Sequence, residues 1–388
     1  MHDGTPQAWP AASAAAAASV AIGHSPRIDL IRGISICLVL LHHFTIAYRL
    51  TTGWAFADAT LHALARNGNY GVTLFFTVSG YLITSRTLRR WPDPARISPL
   101  RFYRLRAARI LPCVLLLLAV VDGLALAGVA IFQNHPEWGE PVPLWVANLA
   151  SVTFWMNILT ARSGWLNYAL CVQWSLSVEE VFYAGFPLLC LLCRGRRALL
   201  AVWACFVIAG PLWRATHQDD DSGYLYAYLA CFDAIAIGCI TAAIRPSLSP
   251  GAWARPAATA VSAVLTGLYL ARSIGVTNVY GVSIMALGCA VLIATETASA
   301  ATRAVPLRAL RACGRLILEL YLFHLVVLGL MRTIWPPEAF TGAIRFALLA
   351  AFLALSVALA LALSRFFSDP LNAALRGKSA AVPPPTRA

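Results

Sequence analysis

Charged side chains are scarce in this sequence. Asp, Glu, Lys and Arg make up 12% of its 388 residues, whereas hydrophobic residues make up 59% and the mean hydropathy is +0.69. Because soluble domains carry about 25% charged residues, this composition excludes an ordinary soluble protein. It predicts an all-α, polytopic membrane protein.

Acidic residues are scarcer still than basic ones. The chain has 17 Asp and Glu against 30 Lys and Arg, which gives a formal net charge of +13. In a soluble protein this surplus would suggest a nucleic-acid partner. Here the basic residues lie in short connections between apolar runs, where they mark the cytoplasmic side of a membrane. We therefore expect membrane lipid, and no nucleic acid, as a partner.

We also expect neither a cleaved secretory signal nor a disulfide framework, and the sequence contains no long hydrophilic linker. Residues 1–26 are rich in alanine, without a basic cluster at the start and with an apolar stretch too short to span, so they are predicted to be a disordered tail. The ten cysteines fall largely in apolar runs, where a thiol packs as a small hydrophobe. Cys190 and Cys193 have no second pair, which favours packing over a metal or redox site.

Ten apolar runs approach the roughly 20 residues that cross a bilayer. They lie at 28–48, 68–88, 110–132, 174–193, 198–215, 224–243, 255–272, 278–297, 315–333 and 343–367. We therefore predict about ten transmembrane helices in one bundle with a central cavity. The membrane domain covers 27–370, and 371–388 is a short cytoplasmic tail.

An eleventh candidate, at 143–157, is shorter and contains two asparagines. If it spans the membrane, the basic connection CRGRRA at 193–198 moves outside and the charge pattern breaks. If it does not, every basic connection falls on one side, as the positive-inside tendency requires. We predict that 143–157 is a re-entrant or interfacial segment and that both termini are cytoplasmic.

The first apolar run, RIDLIRGISICLVLLHHF, carries ionisable residues at both ends. Arg32 and His43 are eleven residues apart, about 20° past three full turns, so they share one helix face roughly 16 Å apart. This places Arg32 near the cytoplasmic surface and His43 deep in the membrane. Ionisable groups there are costly and face a cavity or a polar partner. A bond from His43 to a neighbouring helix is the structural alternative, and the same alternative applies to His42.

Two further motifs follow. The second run contains FFTVSGYLI, in which Ser79 serves a site or the Ser79-Gly80 pair supplies small residues that let helices approach closely. The next connection, RFYRLRAARILP, places Arg106 and Arg109 three residues apart on one helical face. Two guanidiniums so placed can bind phosphate through charge-assisted hydrogen bonds. Such a pair can also be a plain topology signal.

Polar residues recur in two later runs. QWSLSVEEVFY contains Glu179 and Glu180, and Ser177 has the capping-box spacing to Glu180, although two adjacent acids exceed what a cap requires. The ninth run, LELYLFHLVVL, places Glu319 and His324 among apolar residues, which again suggests a cavity. As a single histidine, His324 is interpreted as structural.

Together and in this order, five segments resemble the acyltransferase-3 family of bacterial integral membrane O-acyltransferases. They are RIDLIRG with LLHHF and its Arg-x10-His spacing, FFTVSGYLI, FYRLRAARILP, QWSLSVEEVFY and YLFH. The resemblance covers about 27–370. The sequence departs just before YLFH, where similar proteins often have a Ser-Tyr pair and this one has Ile317 and Leu318, followed by Glu319.

The resemblance implies a bacterial inner-membrane enzyme that moves an acyl group, commonly acetyl, from cytosolic acyl-CoA to a hydroxyl of an exopolysaccharide, lipopolysaccharide or lipid-linked sugar. It implies a donor substrate rather than a bound cofactor, and no metal. Seven residues carry over by matching position: His43, Arg32, Glu179 and Glu180 as catalytic residues, and Arg106, Arg109 and Ser79 near the donor.

Several alternatives stay open at this stage. The acceptor can instead be a small hydroxylated metabolite such as a macrolide, and a membrane transporter would also explain the intramembrane Arg and His. Some similar proteins carry an esterase-like domain after the membrane part, whereas this sequence resembles those without one. We expect these helices, or a separate periplasmic partner, to complete acyl delivery.

His43 has two possible roles in such an enzyme. A neutral imidazole, with an unperturbed pKa of about 6.5, can take the proton from an acceptor hydroxyl as it attacks the thioester. Alternatively, His43 itself accepts the acyl group and passes it across the membrane. The sequence does not choose between these roles.

Overall fold

The computed structural model describes residues 25–248, 250–296 and 305–376, and the regular secondary structure of these residues is entirely helical. Residues 1–24 and 377–388, where two tails are predicted, lie outside the described residues. The longer helices are α1 (Pro26–Tyr48), α2 (Ala55–Arg66), α3 (Asn69–Arg90), α4 (Pro99–Leu126), α5 (Leu144–Val152), α6 (Met156–Ser163), α7 (Trp174–Cys193), α8 (Arg196–Thr216), α9 (Asp221–Tyr226), α10 (Tyr228–Ile244), α11 (Ala254–Ala271), α12 (Ile274–Ala294), α13 (Val305–Arg315), α14 (Ile317–Ile334), α15 (Ile344–Leu363) and α16 (Asp369–Arg376).

The prediction of an all-α, polytopic membrane bundle is confirmed. Each of the ten predicted runs coincides with a long helix, and eight helical segments of the described residues are long and apolar enough to cross a membrane. The other two, α3 and α11, carry more serine, threonine and arginine. In α3 this polarity has a reason, because its polar face lies inside the bundle.

The predicted boundaries of two runs are wrong. The third begins at Pro99 rather than 110, because arginine and leucine are good helix formers even where arginine lowers the hydropathy. The sixth is interrupted at Ala227, where one short helix ends and α10 begins. Both errors arise because hydropathy locates the apolar part of a helix and not its ends.

The segment 143–157 does not form one continuous helix. Its first part is α5, whose nine residues rise about 13.5 Å, less than half of the roughly 30 Å hydrocarbon core. The chain then turns at Phe154, which has a positive φ of 60°, and continues into the eight-residue α6. This structure agrees with a segment that does not span.

Helix α3 lies at the centre of the bundle, against α1, α10 and α12. Its contact with α10 is unusually close. A Cβ at Gly80 would collide with the carbonyl of Ile235, and a Cβ at Gly238 would collide with the carbonyl of Thr77. Small residues at such a crossing let two helix backbones approach closely. The small-residue role considered for the Ser79-Gly80 pair therefore belongs to Gly80.

Helix α1 is crossed in the same way by α13. A Cβ at Gly33 would meet the carbonyl of Leu310, and one at Gly314 would meet the carbonyl of Asp29. The chain breaks at Leu316 and α14 then packs beside α1. The crossing therefore determines where α14 starts relative to the polar end of α1.

A fully buried ion pair joins α8 to α10. Arg214 lies 2.7 Å from Asp233 Oδ2 and donates to the hydroxyl of Ser283 on α12 at 2.8 Å. Both charged side chains have no exposed surface. A charge in apolar surroundings requires such a partner. Together with Ser283, the ion pair connects α8, α10 and α12, and it lies away from the cavity described below.

We predict that Gly238→Leu destabilises the protein, because the new side chain forces α3 and α10 apart. Overpacking of this kind costs about 1–3 kcal/mol or more. The melting temperature in detergent should fall by several degrees. Gly267→Leu is the matched control, since a Cβ at Gly267 meets nothing within 4 Å. Equal melting temperatures for the two variants would contradict the close crossing.

Candidate active site

A cavity of about 780 Å³ lies at one end of the bundle, between α1, α3, α4, α7, α14 and the segment after α15. We call it the arginine cavity. Its basic lining residues are Arg32, Arg86, Arg90, Arg106, Arg109, Arg315 and Arg376. Three acids, Asp29, Glu179 and Asp369, also line it. The excess of positive charge suits an anionic ligand.

One stripe of α1 leads from this cavity to His43. Asp29 and Arg32 line the arginine cavity, and Val39 lines a second void of about 10 Å³. His43 follows Val39 by one helical turn. This is the helix face that the Arg32 to His43 spacing predicts. His43 lies five residues, about 7.5 Å, before the end of α1 at Tyr48.

His43 forms a hydrogen bond with His324 of α14. His324 Nδ1 lies 3.1 Å from the carbonyl oxygen of Leu320 and 2.8 Å from that of Tyr321. Because carbonyl oxygens only accept, Nδ1 carries the proton and Nε2 of a neutral His324 is an acceptor. His324 Nε2 is 3.0 Å from His43 Nδ1, which therefore donates. The unprotonated nitrogen of neutral His43 is then Nε2.

The interpretation of His324 from sequence missed this contact. His324 is fully buried, and its ring centroid lies 5.0 Å from that of His43. The sequence does place His324 within an apolar run, which marks it as unusual. It contains no pattern, however, that predicts contact between α14 and α1. The neighbouring His42 does have a structural partner, because its Nδ1 lies 2.6 Å from the carbonyl oxygen of Ala65. Trp165 lies on another side of His43, at 6.1 Å between ring centroids.

Ser79, Glu179 and Glu180 are brought together with Arg106. Ser79 donates a hydrogen bond to Glu179, and the Ser79 and Tyr183 hydroxyls are 2.5 Å apart. Arg106 lies 3.4 Å from Glu179 Oε1 and 3.0 Å from Glu180 Oε1. Its guanidinium carbon also lies 3.8 Å from the centre of the Tyr183 ring. Two carboxylates therefore balance the charge of Arg106.

Arg109 and Arg32 are held more loosely. Arg109 is 3.9 Å from Asp369, whose side chain is 61% exposed, and Arg32 is 4.0 Å from Asp29. Both guanidiniums line the arginine cavity. Ion pairs at this distance, near a partly open cavity, are weak compared with a bidentate bond to phosphate. Of the predicted arginine pair, Arg109 is thus better placed than Arg106 to receive an anion.

The capping-box alternative for Glu180 is wrong, because α7 begins at Trp174 and the Ser177 hydroxyl instead donates to the carbonyl of Gln173 at 3.1 Å.

The departure from the family pattern at the start of α14 also has a structural counterpart. Glu319 is buried and accepts a hydrogen bond from the Ser368 hydroxyl at 2.5 Å, which fastens the segment after α15 to α14.

The sequence of this chain is similar to known acyltransferases. The sequence model of a family described as "Acyltransferase domain" matches residues 25–365. O-acetyltransferase OatA of Staphylococcus aureus strain NCTC 8325 is 27% identical over 231 residues, which is 57% of this chain and 35% of the relative. Peptidoglycan O-acetyltransferase OatA of Listeria monocytogenes is 27% identical over 244 residues, 58% of this chain and 35% of the relative.

A third relative, a putative O-acetyltransferase of S. aureus strain MSSA476, is 28% identical over 169 residues, covering 43% of this chain and 24% of the relative. This chain therefore spans about a third or less of the length of these curated relatives. No solved structure matches it significantly.

Proposed function

Because the chain belongs to this acyltransferase family, we propose that it is a membrane O-acetyltransferase that moves an acetyl group from acetyl-CoA to a hydroxyl of a cell-surface glycan. One observation carries the proposal. The arginine cavity and His43 lie along a single stripe of α1, with the basic groups at one end and an unprotonated imidazole nitrogen at the other.

The arginine cavity suits the nucleotide end of coenzyme A. The three phosphates of that ligand carry several negative charges, and seven arginines line the cavity. Arg32 and His43 are separated by about 16.5 Å along α1. The long, flexible pantetheine arm of coenzyme A would bridge this distance. We therefore assign the phosphates to Arg109 and its neighbours and place the thioester near His43.

The arrangement of protons at His43 suits the reaction. The acceptor oxygen attacks the thioester carbonyl carbon, and its proton passes to His43 Nε2 as the C–O bond forms. The C–S bond then breaks, and the proton goes to the departing thiolate, which gives free coenzyme A. His324 accepts from His43 Nδ1 throughout and so stabilises the imidazolium that forms.

The same arrangement supports the acyl-histidine route. Nε2 attacks the thioester, the C–S bond breaks, and the acetyl group is held as an acetyl-imidazole after the Nδ1 proton moves to His324 Nε2. The thiolate is protonated from solvent. The acceptor hydroxyl then attacks the acetyl-imidazole, the C–N bond to His43 breaks, and the acceptor proton leaves to solvent while the proton on His324 Nε2 returns to His43 Nδ1. Trapping labelled acetyl on the protein in the absence of acceptor supports this route, and its absence favours the general-base route.

The acceptor is proposed to arrive from the side opposite the arginines, because His43 lies near that end of α1. One relative is named for acting on peptidoglycan, which favours an envelope glycan over a small metabolite. The direct bond between His43 and His324 favours an enzyme over a transporter, since it prepares a base. We propose that the arginine cavity and both termini face the cytoplasm and that the membrane is a bacterial inner membrane, because the positive-inside tendency favours a cytoplasmic side for the basic connections.

We predict that His43→Ala abolishes acetyl transfer in protein that still folds and inserts. His324→Ala should lower kcat by about 10²-fold or more, because His43 loses the acceptor that fixes its tautomer, whereas KM for acetyl-CoA changes little. His324→Gln should restore part of kcat, since its amide can both donate and accept. Near-normal turnover by His43→Ala would exclude both proposed roles, and equal defects in the Ala and Gln variants would reduce His324 to a packing residue.

Replacing Arg109 with alanine should raise KM for acetyl-CoA by about tenfold, the loss of one charge-assisted bond to phosphate. Arg96→Ala is the control, because the Arg96 side chain is 86% exposed and lies outside the arginine cavity. Steady-state kinetics with varied acetyl-CoA measure the effect. A KM that is the same in both variants would remove Arg109 from the donor site.

The orientation is tested with fusions. A reporter fused after Arg194 should report the cytoplasm, and one fused after Asp219, beyond the next span, should report the opposite side. An external signal from the Arg194 fusion would reverse the proposed topology.

A further inference from the structure

The arginine cavity does not reach His43, which is not among its lining residues. The arginine cavity and the 10 Å³ void beside Val39 are separate, and three residues line both: Phe75 on α3, and Ile317 and Tyr321 on α14. We call these three residues the neck. The void has room for about one water molecule, so a thioester arm enters it only if the neck widens.

The two aromatic rings of the neck differ in how firmly they are held. They stack with 6.4 Å between ring centroids and 9° between ring planes. The Tyr321 hydroxyl lies 2.6 Å from the hydroxyl of Ser175 and donates to the carbonyl oxygen of Val172 at 2.9 Å. Phe75 has no polar group and is held by packing alone. Phe75 is therefore the side that yields when the arm passes.

The acyl group is the leading end of that arm and has to pass the neck first. The far side of the void offers little extra room, because it is bounded by Val39 and by Gly71, where a Cβ would already lie 2.6 Å from the carbonyl oxygen of Ser35. Each added methylene must displace close-packed side chains, and a single methylene in a tight apolar site changes kcat/KM by about 10- to 200-fold.

We propose that the neck, and Phe75 in particular, determines which acyl group this enzyme transfers: a short group such as acetyl passes, and longer chains are rejected at this point. The selection rests on the proposed function, since it concerns the donor of that same site. It acts before the thioester reaches His43, so it is independent of the acceptor.

The first experiment compares acetyl-CoA with butyryl-CoA. In the unmodified protein kcat/KM is highest for acetyl-CoA. Phe75→Ala should raise the butyryl to acetyl ratio by about tenfold or more. Phe76→Ala is the matched control, because it removes the same ring from the next position of α3 without touching either void. An unchanged ratio in Phe75→Ala, or the same change in both variants, overturns the proposal. If either alanine variant fails to fold, the pair Phe75→Leu and Phe76→Leu repeats the comparison, with a smaller shift expected.

A second experiment tests the neck without any acyl transfer. Val39→Cys places a thiol in the void, and a membrane-impermeant methanethiosulfonate reagent is applied from the arginine side in inverted vesicles. Labelling of position 39 should be at least about tenfold faster when Phe75→Ala is added, and unchanged when Phe76→Ala is added. The parent protein corrects for its native cysteines. Equal labelling rates in all variants would contradict the proposal that Phe75 restricts access to the void. Faster labelling in Phe75→Ala, in a protein that transfers no acyl group from any acyl-CoA, would support that restriction and reject the proposed function.

Discussion

The hydrogen bond between His324 Nε2 and His43 Nδ1 fixes the position of the proton on each imidazole. Its direction is set by the helix that carries His324, because the backbone carbonyls of Leu320 and Tyr321 accept from the other ring nitrogen. In water either tautomer of histidine is available. Among apolar helices an unpaired N–H is costly, so the folded backbone of α14 selects one tautomer and leaves His43 with a free base on Nε2.

The polar groups of this bundle divide into two kinds. Arg214 and Asp233 neutralise each other completely, have no exposed surface and lie outside the arginine cavity. Glu179, in contrast, is paired with Arg106 and yet lines the cavity. A charge that is fully satisfied within the protein stabilises packing, and a charge that still faces a cavity remains available to a ligand.

The sequence predicted the helical class and the position of every long apolar helix, because hydropathy measures what lipid requires. It also predicted the face shared by Arg32 and His43, since helical periodicity acts within one segment. It did not predict the start of α4 at Pro99, because hydropathy undervalues arginine in a helix. It missed the pairing of His43 with His324 and the engagement of Arg106 with two carboxylates. Those contacts depend on which helices are neighbours, and no local pattern contains that information.

The neck also has an electrical consequence. A voltage across a membrane acts on charges that move through it, at about 2.3 kcal/mol per elementary charge per 100 mV. In the proposed reaction the phosphates of the donor stay among the arginines, and only an uncharged pantetheine arm passes Phe75 and Tyr321. If transfer follows the general-base route, every group that passes the neck is uncharged, so the membrane potential would neither drive nor oppose the proposed transfer.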